Sequence, residues 1–323
     1  MSDNDFIFAV ARIRVKEKSL LSDADVAQMT ALKDEKAVLA YLKDKGWGDP
    51  SRTESTEELL SEEEAKTRGL VRELGIDEAV FEVLSYPVLY HNLKAGIKEI
   101  CTEELNPQAF YPDKNFGRDE ILRILRDKDY ASLPEHMRES AKNGYETMLK
   151  TRDGQQSDVI VDRACLDAME KISRTSKHAV LRDYEEQMVA VTDIRIAVRA
   201  AKTGKSAAFL KEALAPCRSL DVEGLKNAAA AGMEDLLAYL NAHGYSEGTE
   251  ALKESLSSFE RWCDNRLLDS LRSQKTNPFS LGPVVAYYLA RQNEIKTARI
   301  ILTAKANGFS EDEIRERVRA MYV

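Results

Sequence analysis

The letters of this chain that come nearest to a chemical signature are AAKTGKSAAFL, residues 200–210. Gly204, Lys205 and Ser206 match the end of a nucleotide-binding P-loop, whose full pattern is GxxxxGK(S/T). The backbone N–H groups of that loop wrap a phosphate, and the turn begins at an earlier glycine. Here the earlier position holds Arg199, which cannot adopt the glycine-only backbone conformation without cost.

The preceding segment, MVAVTDIRIAVRAAK, is compatible with a β-branched strand before such a loop. Its apolar residues also recur at helical steps of three and four. They are Met188, Val191, Ile194, Val198 and Ala201. We favour the helix, ending near Lys202 with Gly204 as its stop and with Ser206 capping the next helix. We therefore predict no direct nucleotide binding.

Cysteine and histidine are scattered along the chain. Consecutive cysteines lie 64, 52 and 46 residues apart, at Cys101, Cys165, Cys217 and Cys263. There is no CxxC pair and no HExxH spacing for a metal. We expect four buried or half-buried free thiols, and we predict no metal site, no cofactor and no catalytic residue.

Composition narrows the class of protein. The 323 residues carry a net charge of −8, which argues against a nucleic-acid binder. No run approaches the roughly 18–20 apolar residues of a membrane-spanning helix, and the longest candidate is PVVAYYLA from Pro283. The N-terminus lacks the basic start and cleavage site of a signal peptide. We expect a cytosolic protein that is able to sit on a membrane protein.

The local patterns predict an all-α protein. Capping boxes stand at residues 61–64 (SEEE) and 310–313 (SEDE), the second followed by a helical stripe of Ile314, Val318 and Met321. Strand and hairpin signals are weak. Residues 48–61 read as a flexible polar linker. Residues 106–117, NPQAFYPDKNFG, form either a packed loop or an exposed contact, and we favour the packed loop.

Internal repetition is the most informative feature. LAYLKDKGW at residues 39–47 resembles LAYLNAHGY at 237–245, with an offset of 198. Three five-residue segments, starting at Asn92, Asp193 and Glu294, share one pattern: a polar, an aliphatic and a basic residue, then any residue, then a small one. Successive segments are 101 residues apart. We predict approximate repeats at 61–150, 158–250 and 256–323, with 6–50 completing the last. Their long helical regions are 70–98 (interrupted at Gly75 and Pro87), 162–202, and 256–306 (interrupted at Pro278 and Pro283).

Three stretches carry a resemblance to one family: PVVAYYLARQNEIKTARIILTAKANGFSEDEIRERV at 283–318, VTDIRIAVRAAKTGKSAAFLKEAL at 191–214, and ARIRVKEKSLL at 11–21. The chain resembles the C subunit of prokaryotic V-type/A-type ATPases, which is similar to the d subunit of the eukaryotic vacuolar proton pump. The resemblance implies three similar helical subdomains in one pseudo-threefold, funnel-shaped unit over residues 1–323. The repeats alone permit this shape without requiring it.

The resemblance also implies a non-catalytic socket on the cytoplasmic face of the cell membrane. Such a socket joins the central-stalk shaft subunits to the membrane proteolipid ring and passes torque between them. Neither the coupling ion, H⁺ or Na⁺, nor the direction of ATP turnover follows from the sequence. The alternatives are a soluble helical adaptor or scaffold unrelated to membranes, an open α-solenoid, and an enzyme whose distant residues converge in one pocket.

The best-matching stretch supplies the candidate partner contacts, because charged and amide side chains set the register and orientation of an interface. They are Tyr288, Arg291, Asn293, Glu294 and Arg299. The alternative is that Arg291 and Glu294, three residues apart, simply pair with each other on the helix surface.

Overall fold

The computed structural model describes residues 3–49, 53, 55–76, 78–113 and 115–323. Within these ranges the regular elements are helices and none is a strand, which confirms the all-α prediction. None of the helices in the described ranges has both the length and the apolar character needed to cross a bilayer. In chain order the α-helices are α1 (Asp3–Glu17), α2 (Asp23–Ala31), α3 (Glu35–Asp44), α4 (Thr56–Glu73), α5 (Glu78–Thr102), α6 (Arg118–Asp127), α7 (Glu135–Thr151), α8 (Gly154–Thr175), α9 (Ala179–Thr203), α10 (Ala207–Ala213), α11 (Val222–Ala231), α12 (Met233–Ala242), α13 (Ser246–Glu254), α14 (Leu256–Arg272), α15 (Gly282–Ala306) and α16 (Glu311–Arg315).

The Gly-Lys-Ser segment is a helix boundary. Helix α9 ends at Thr203, and Gly204 follows in the left-handed region with φ of 63°, where glycine is favoured. Ser206 caps α10 by accepting a hydrogen bond from the Phe209 N–H, and the Lys205 ammonium lies 2.8 Å from the Asp153 carboxylate. The predicted stop and cap are confirmed.

The predicted capping box at residues 61–64 is wrong. Helix α4 begins earlier, and its capping box is formed by Ser55 and Glu58. Leu59 and Leu60 are fully buried, so the helix that buries them has to start before them. Residues 56–61 of the predicted linker are therefore helical, while 50–52 and 54 lie outside the described residues. The box at 310–313 is confirmed, but α16 ends at Arg315, so Val318 and Met321 follow the helix instead of continuing it.

The long helices differ from prediction at three breaks. Helix α5 runs through Pro87 instead of stopping there. A proline inside a helix costs about 3 kcal/mol, and neighbours buried on both sides, including Tyr86 and Leu89, offset this cost. The predicted helix 162–202 is two helices, α8 and α9, separated at 176–178. Pro278 lies between α14 and α15 as predicted, while Pro283 occupies the first turn of α15, where its missing N–H costs nothing.

The chain forms two compact units. Unit 1 comprises the described residues of Met1–Glu78, His178–Gln187 and Leu240–Val323, and unit 2 comprises those of Ala79–Lys177 and Met188–Tyr239. The division into repeats 61–150, 158–250 and 256–323 with 6–50, and their funnel-shaped arrangement, stay predictions.

The core of unit 1 joins the two ends of the sequence. Apolar side chains from α2, α3 and α4 pack against α15 and the C-terminal segment in one buried cluster. Its members are Leu21, Val26, Met29, Val38, Leu42, Trp47, Leu59, Leu60, Ile295, Ala298, Ile301, Leu302, Ala304, Ile314 and Met321. Residues separated by more than 250 positions are thus held together by burial of apolar surface.

In unit 2, the segment 106–117 is fastened to α5. The Asn92 side chain accepts a hydrogen bond from the Tyr111 N–H at 2.9 Å and donates to the Tyr111 and Phe116 carbonyls. Phe110 is buried. The packed-loop interpretation is confirmed at Phe110 and at the residues bonded to Asn92, while Asn106, Pro107, Gln108 and Asn115 are exposed. Cys101, Cys165 and Cys263 are buried and Cys217 is half-buried, and these four cysteines form no disulfide within the part of the chain that the structure describes.

Candidate functional site

The best-matching stretch of the sequence contributes to a buried ion cluster in unit 1. The Arg291 guanidinium of α15 bonds both to Glu294, one turn further along the same helix, and to Glu63 of α4. The three side chains are only 7%, 2% and 4% exposed, in the order Arg291, Glu294, Glu63. The Arg291 guanidinium also stacks on the Trp47 ring, 4.9 Å from its centroid. Pairing with two carboxylates and stacking on a ring both suit arginine, because its guanidinium is planar and always charged.

The predicted pairing of Arg291 with Glu294 is confirmed, but its predicted place on the helix surface is wrong. Glu294 is buried, and its other oxygen accepts a hydrogen bond from the Leu21 N–H. Burial raises the pKa of Glu294 to about 7, although the Arg291 charge and the Leu21 N–H work in the opposite direction.

The carboxylates of the ion cluster accept hydrogen bonds from backbone N–H groups in the N-terminal part of the chain. Glu63 accepts a hydrogen bond from the Gly48 N–H at 2.8 Å and pairs with Lys66 at 2.6 Å. The Lys66 ammonium in turn donates to the carbonyls of Gly46 and Gly48. Charge-assisted hydrogen bonds of this kind are roughly twice as strong as neutral ones, so the cluster fixes the turn that follows α3.

A cavity of about 590 Å³ lies against the ion cluster and is called the basic groove below. Its lining comes from α1, from the turn after α3, from α4 and from α15. The described residues that line it are Arg12, Lys16, Ser19, Lys45, Gly46, Trp47, Glu63, Lys66, Thr67, Gly69, Leu70, Glu73, Tyr287 and Arg291. Five of these side chains are basic and two are acidic, in a protein whose net charge is −8. The basic groove therefore favours a negatively charged occupant.

The basic side chains of the groove differ in how fully they are already paired. Arg12 bonds to Glu73 across the groove, and Lys45 lies 2.6 Å from Asp25. Burial would raise the pKa of Asp25, but Lys45 and hydrogen bonds from Tyr41 and Ser22 hold that pKa well below its usual range. Lys16 is exposed and has no ion pair with any described residue. It is therefore the basic side chain most available to an incoming acidic group.

The remaining predicted contact residues are separate from the ion cluster. Tyr288 is buried. Asn293 donates a hydrogen bond to the Ala320 carbonyl at 2.9 Å, and Arg299 pairs with Glu57 at 2.9 Å. The structure thus brings Arg291 and Glu294 together and spreads the other three along α15.

Sequence reasoning missed the groove residues outside α15. Glu63 and Lys66 lie in a run of charged residues that is typical of a solvent-exposed helix face. Lys16 lies at the end of α1, which is also rich in charged residues. Their joint placement depends on contacts between residues more than 200 positions apart, for which a local pattern gives no signal. Among the described residues, no three His, Cys, Asp or Glu side chains are grouped so that they could hold a metal ion.

Unit 2 contains another buried carboxylate, at Asp193 of α9. One oxygen accepts a hydrogen bond from the Ala215 N–H at 3.0 Å, while the other oxygen is buried without a hydrogen-bond partner among the described residues. Burial raises the pKa of Asp193 to about 7, against the effect of the Ala215 N–H and the nearby Arg163 charge. Its bonded oxygen holds the backbone at Ala215 against α9.

Comparison with known proteins shows which family the sequence matches. The sequence profile of the family described as ATP synthase (C/AC39) subunit matches residues 9–317. The C subunit of the V-type sodium ATPase of Enterococcus hirae is 22% identical over 267 residues, covering 81% of each chain. The C subunit of the A-type ATP synthase of Methanocaldococcus jannaschii is 22% identical, covering 96% of this chain and 85% of the relative. That of Halorubrum lacusprofundi is 28% identical, covering 62% of this chain and 58% of the relative.

Proposed function

Because the chain belongs to the ATP synthase (C/AC39) subunit family, we propose that it is the non-catalytic C subunit of a rotary V/A-type ATPase. It joins the central-stalk shaft subunits to the membrane proteolipid ring at the cytoplasmic face of the membrane, as a peripheral component. It couples rotation to ion transport during ATP synthesis or hydrolysis. The observation that carries this proposal is the match over nearly the whole chain, with relatives named as C subunits of such ATPases.

The proposed mechanism is mechanical and needs no nucleotide or cofactor in this chain. Torque passes through a body only if that body resists deformation, and densely packed helices provide such stiffness. We propose that the predicted repeats form three helical subdomains of a funnel-shaped socket. The three 25-residue helices α5, α9 and α15 support this division, because they recur at nearly equal spacing.

The basic groove is the proposed docking surface for an acidic segment of a shaft subunit. We place Arg291, which lines this groove, at the contact, and Glu294 positions Arg291 through their ion pair. Tyr288, Asn293 and Arg299 stay proposed partner contacts further along α15. Complementary charge at such a surface sets orientation and association rate more than total affinity, which suits a rotor that has to be joined in one register.

A tagged full-length protein recovered from mild-detergent membranes of the source cell tests the proposal. The unaltered chain should bring down both a proteolipid ring and nucleotide-hydrolysing subunits, and the isolated chain should not hydrolyse ATP. Lys16→Glu, in the groove, should reduce recovery of shaft subunits about tenfold, the equivalent of about 1.4 kcal/mol. Lys18→Glu is the matched control, because Lys18 is exposed outside the groove and carries the same charge change.

Each outcome has one interpretation. Recovery of neither sector by the unaltered chain would contradict the rotary assignment and would favour the soluble adaptor or scaffold. Equal loss with Lys16→Glu and Lys18→Glu would contradict the groove as the docking surface while leaving the family role intact. The loss with Lys16→Glu should also shrink as salt is raised, because the contact is between exposed charges.

A further inference from the structure

Three long helices carry a buried polar side chain at corresponding positions. Asn92 of α5, Asp193 of α9 and Glu294 of α15 are 0%, 0% and 2% exposed, and they are spaced 101 residues apart. Each is followed by a buried aliphatic residue and, four positions on, by a buried glycine or alanine. Burying a polar group costs free energy unless it is hydrogen-bonded. The hydrogen-bond partner of each side chain therefore indicates its structural role.

Each of these side chains accepts a hydrogen bond from one backbone N–H of a segment outside its own helix. Asn92 binds the Tyr111 N–H, 19 residues downstream, and Asp193 binds the Ala215 N–H, 22 residues downstream. Glu294 binds the Leu21 N–H, which lies 273 residues upstream. The chemistry is the same in the three places, but the third segment comes from the other end of the chain.

The fastened segments are also alike in what they lead to. Tyr111 lies seven residues before the start of α6, and Ala215 lies seven residues before the start of α11. Leu21 stands directly before the cap of α2. Glycine and alanine let the following helix approach: a Cβ added at Gly96 of α5 would lie 2.5 Å from Ile121 of α6. Residues 3–49 therefore correspond, in their relation to α15, to the segments that follow α5 and α9.

The same N-terminal residues form a large part of the basic groove. Arg12, Lys16, Ser19, Lys45, Gly46 and Trp47 line it from this segment. The rest of the groove is contributed by α4 and α15. If the N-terminal segment moved away from α15, the groove would lose most of its basic side chains.

We infer that residues 3–49 form a strap that completes the basic groove, and that Glu294 fastens this strap as Asn92 and Asp193 fasten their equivalents. Glu294 is thus a positioning residue for partner binding, a consequence that rests on the proposed function. Because the strap and the partner share the groove, a bound acidic segment holds the strap closed, and a released strap weakens partner binding by the same factor.

Amide hydrogen exchange on the full-length chain tests the fastening by itself. Removing a hydrogen bond to a charged group costs about 1.5–3 kcal/mol, so Glu294→Ala should speed exchange at Leu21 and in α1, α2 and α3 about 10- to 100-fold. Glu294→Gln keeps an oxygen that can accept from Leu21 and should restore most of the protection. Asp193→Ala is the matched control and should speed exchange around Ala215 while leaving the strap unchanged.

Should Glu294→Ala fail to fold, Glu294→Asp provides the same test, because it keeps the charge but withdraws the carboxylate by one methylene. Unchanged exchange in the strap, or an equal rise throughout both units, would overturn the inference. Co-purification is the second measurement: Glu294→Ala should lose shaft subunits and Glu294→Gln should regain them. If the unaltered chain recovers no ATPase sector, the proposed function fails, while the exchange experiment still decides whether the strap exists.

Discussion

Replacing Asp193 by asparagine should remove a pH dependence from the stability of this protein. Asp193 is buried in unit 2, with one oxygen bonded to the Ala215 N–H and the other without a hydrogen-bond partner among the described residues. Burial raises its pKa from 3.8 to about 7. The native chain therefore keeps a proton on Asp193 in a pH range where the unfolded chain has already released it.

The sign and size follow from this difference in bound protons. Between pH 4 and 7 the native state binds the proton that the unfolded state lacks, so this group lowers the free energy of unfolding by about 1.4 kcal/mol for each unit of rising pH. Its contribution is fully present below the unfolded pKa and is lost as pH rises through the native pKa near 7. From pH 5 to pH 8 the loss is about 3 kcal/mol.

Asp193→Asn keeps an oxygen that can accept from the Ala215 N–H but has no carboxyl proton to lose. Its unpaired amide costs roughly 1–3 kcal/mol, and this cost does not depend on pH. The variant should therefore gain about 3 kcal/mol relative to the unaltered chain between pH 5 and pH 8. Other acidic groups titrate equally in both proteins, so they cancel in the comparison.

Urea unfolding of the two proteins, followed by far-ultraviolet circular dichroism at pH 5, 6, 7 and 8, measures this gain. Asp235→Asn is the matched control, because Asp235 lies in the same unit but is exposed; it should leave the pH profile of the unaltered chain in place. If the Asp193→Asn and unaltered profiles run parallel from pH 5 to pH 8, Asp193 is ionised throughout, and the argument from burial is refuted.

Two further pairs of substitutions test the packing and the helix starts, each by urea unfolding. Gly96→Ala should lower the free energy of unfolding by about 1–3 kcal/mol, because the added Cβ would lie 2.5 Å from Ile121. Gly69→Ala is the control: its added Cβ would have nothing within 4 Å, so it should raise the free energy of unfolding by up to about 1 kcal/mol. Equal effects of the two substitutions would contradict the close approach of α5 and α6. Ser55→Ala should lower the free energy of unfolding by about 1 kcal/mol, because the helix loses its N-cap. Ser61→Ala, inside the same helix, should lower it by less. The reverse order would favour the helix start predicted from the sequence.

The sequence predicts the helices well where local chemistry decides them. Gly204 and Ser206 end one helix and begin another as expected, because a left-handed glycine and a serine cap act on neighbouring residues. The start of α4 is missed because two S-x-x-E patterns, at Ser55 and Ser61, compete six residues apart. Only the burial of Leu59 and Leu60 in the folded core decides between them.

The candidate site is predicted only in part. Arg291 and Glu294 are visible as a pair from their spacing on one helix. Their burial is not visible, because it depends on Glu63 and on the N-terminal segment, whose positions are set by the packing of distant helices. The groove joins residues from Arg12 to Arg291, and no local pattern predicts that they meet.

The repeated polar position shows how one structural requirement takes three electrostatic forms. Asn92 both accepts from the Tyr111 N–H and donates to the Tyr111 carbonyl, so a neutral amide meets its needs without any charge. Asp193 can only accept when ionised, and its oxygen without a hydrogen-bond partner is better tolerated with a proton, which is what its raised pKa expresses. Glu294 is instead paired with Arg291. The three side chains thus differ in their partners: Asn92 is a neutral amide, Asp193 is a buried acid with one oxygen lacking a hydrogen-bond partner among the described residues, and Glu294 is joined to an ion pair. Only Glu294 lies beside the groove where a partner would act on it.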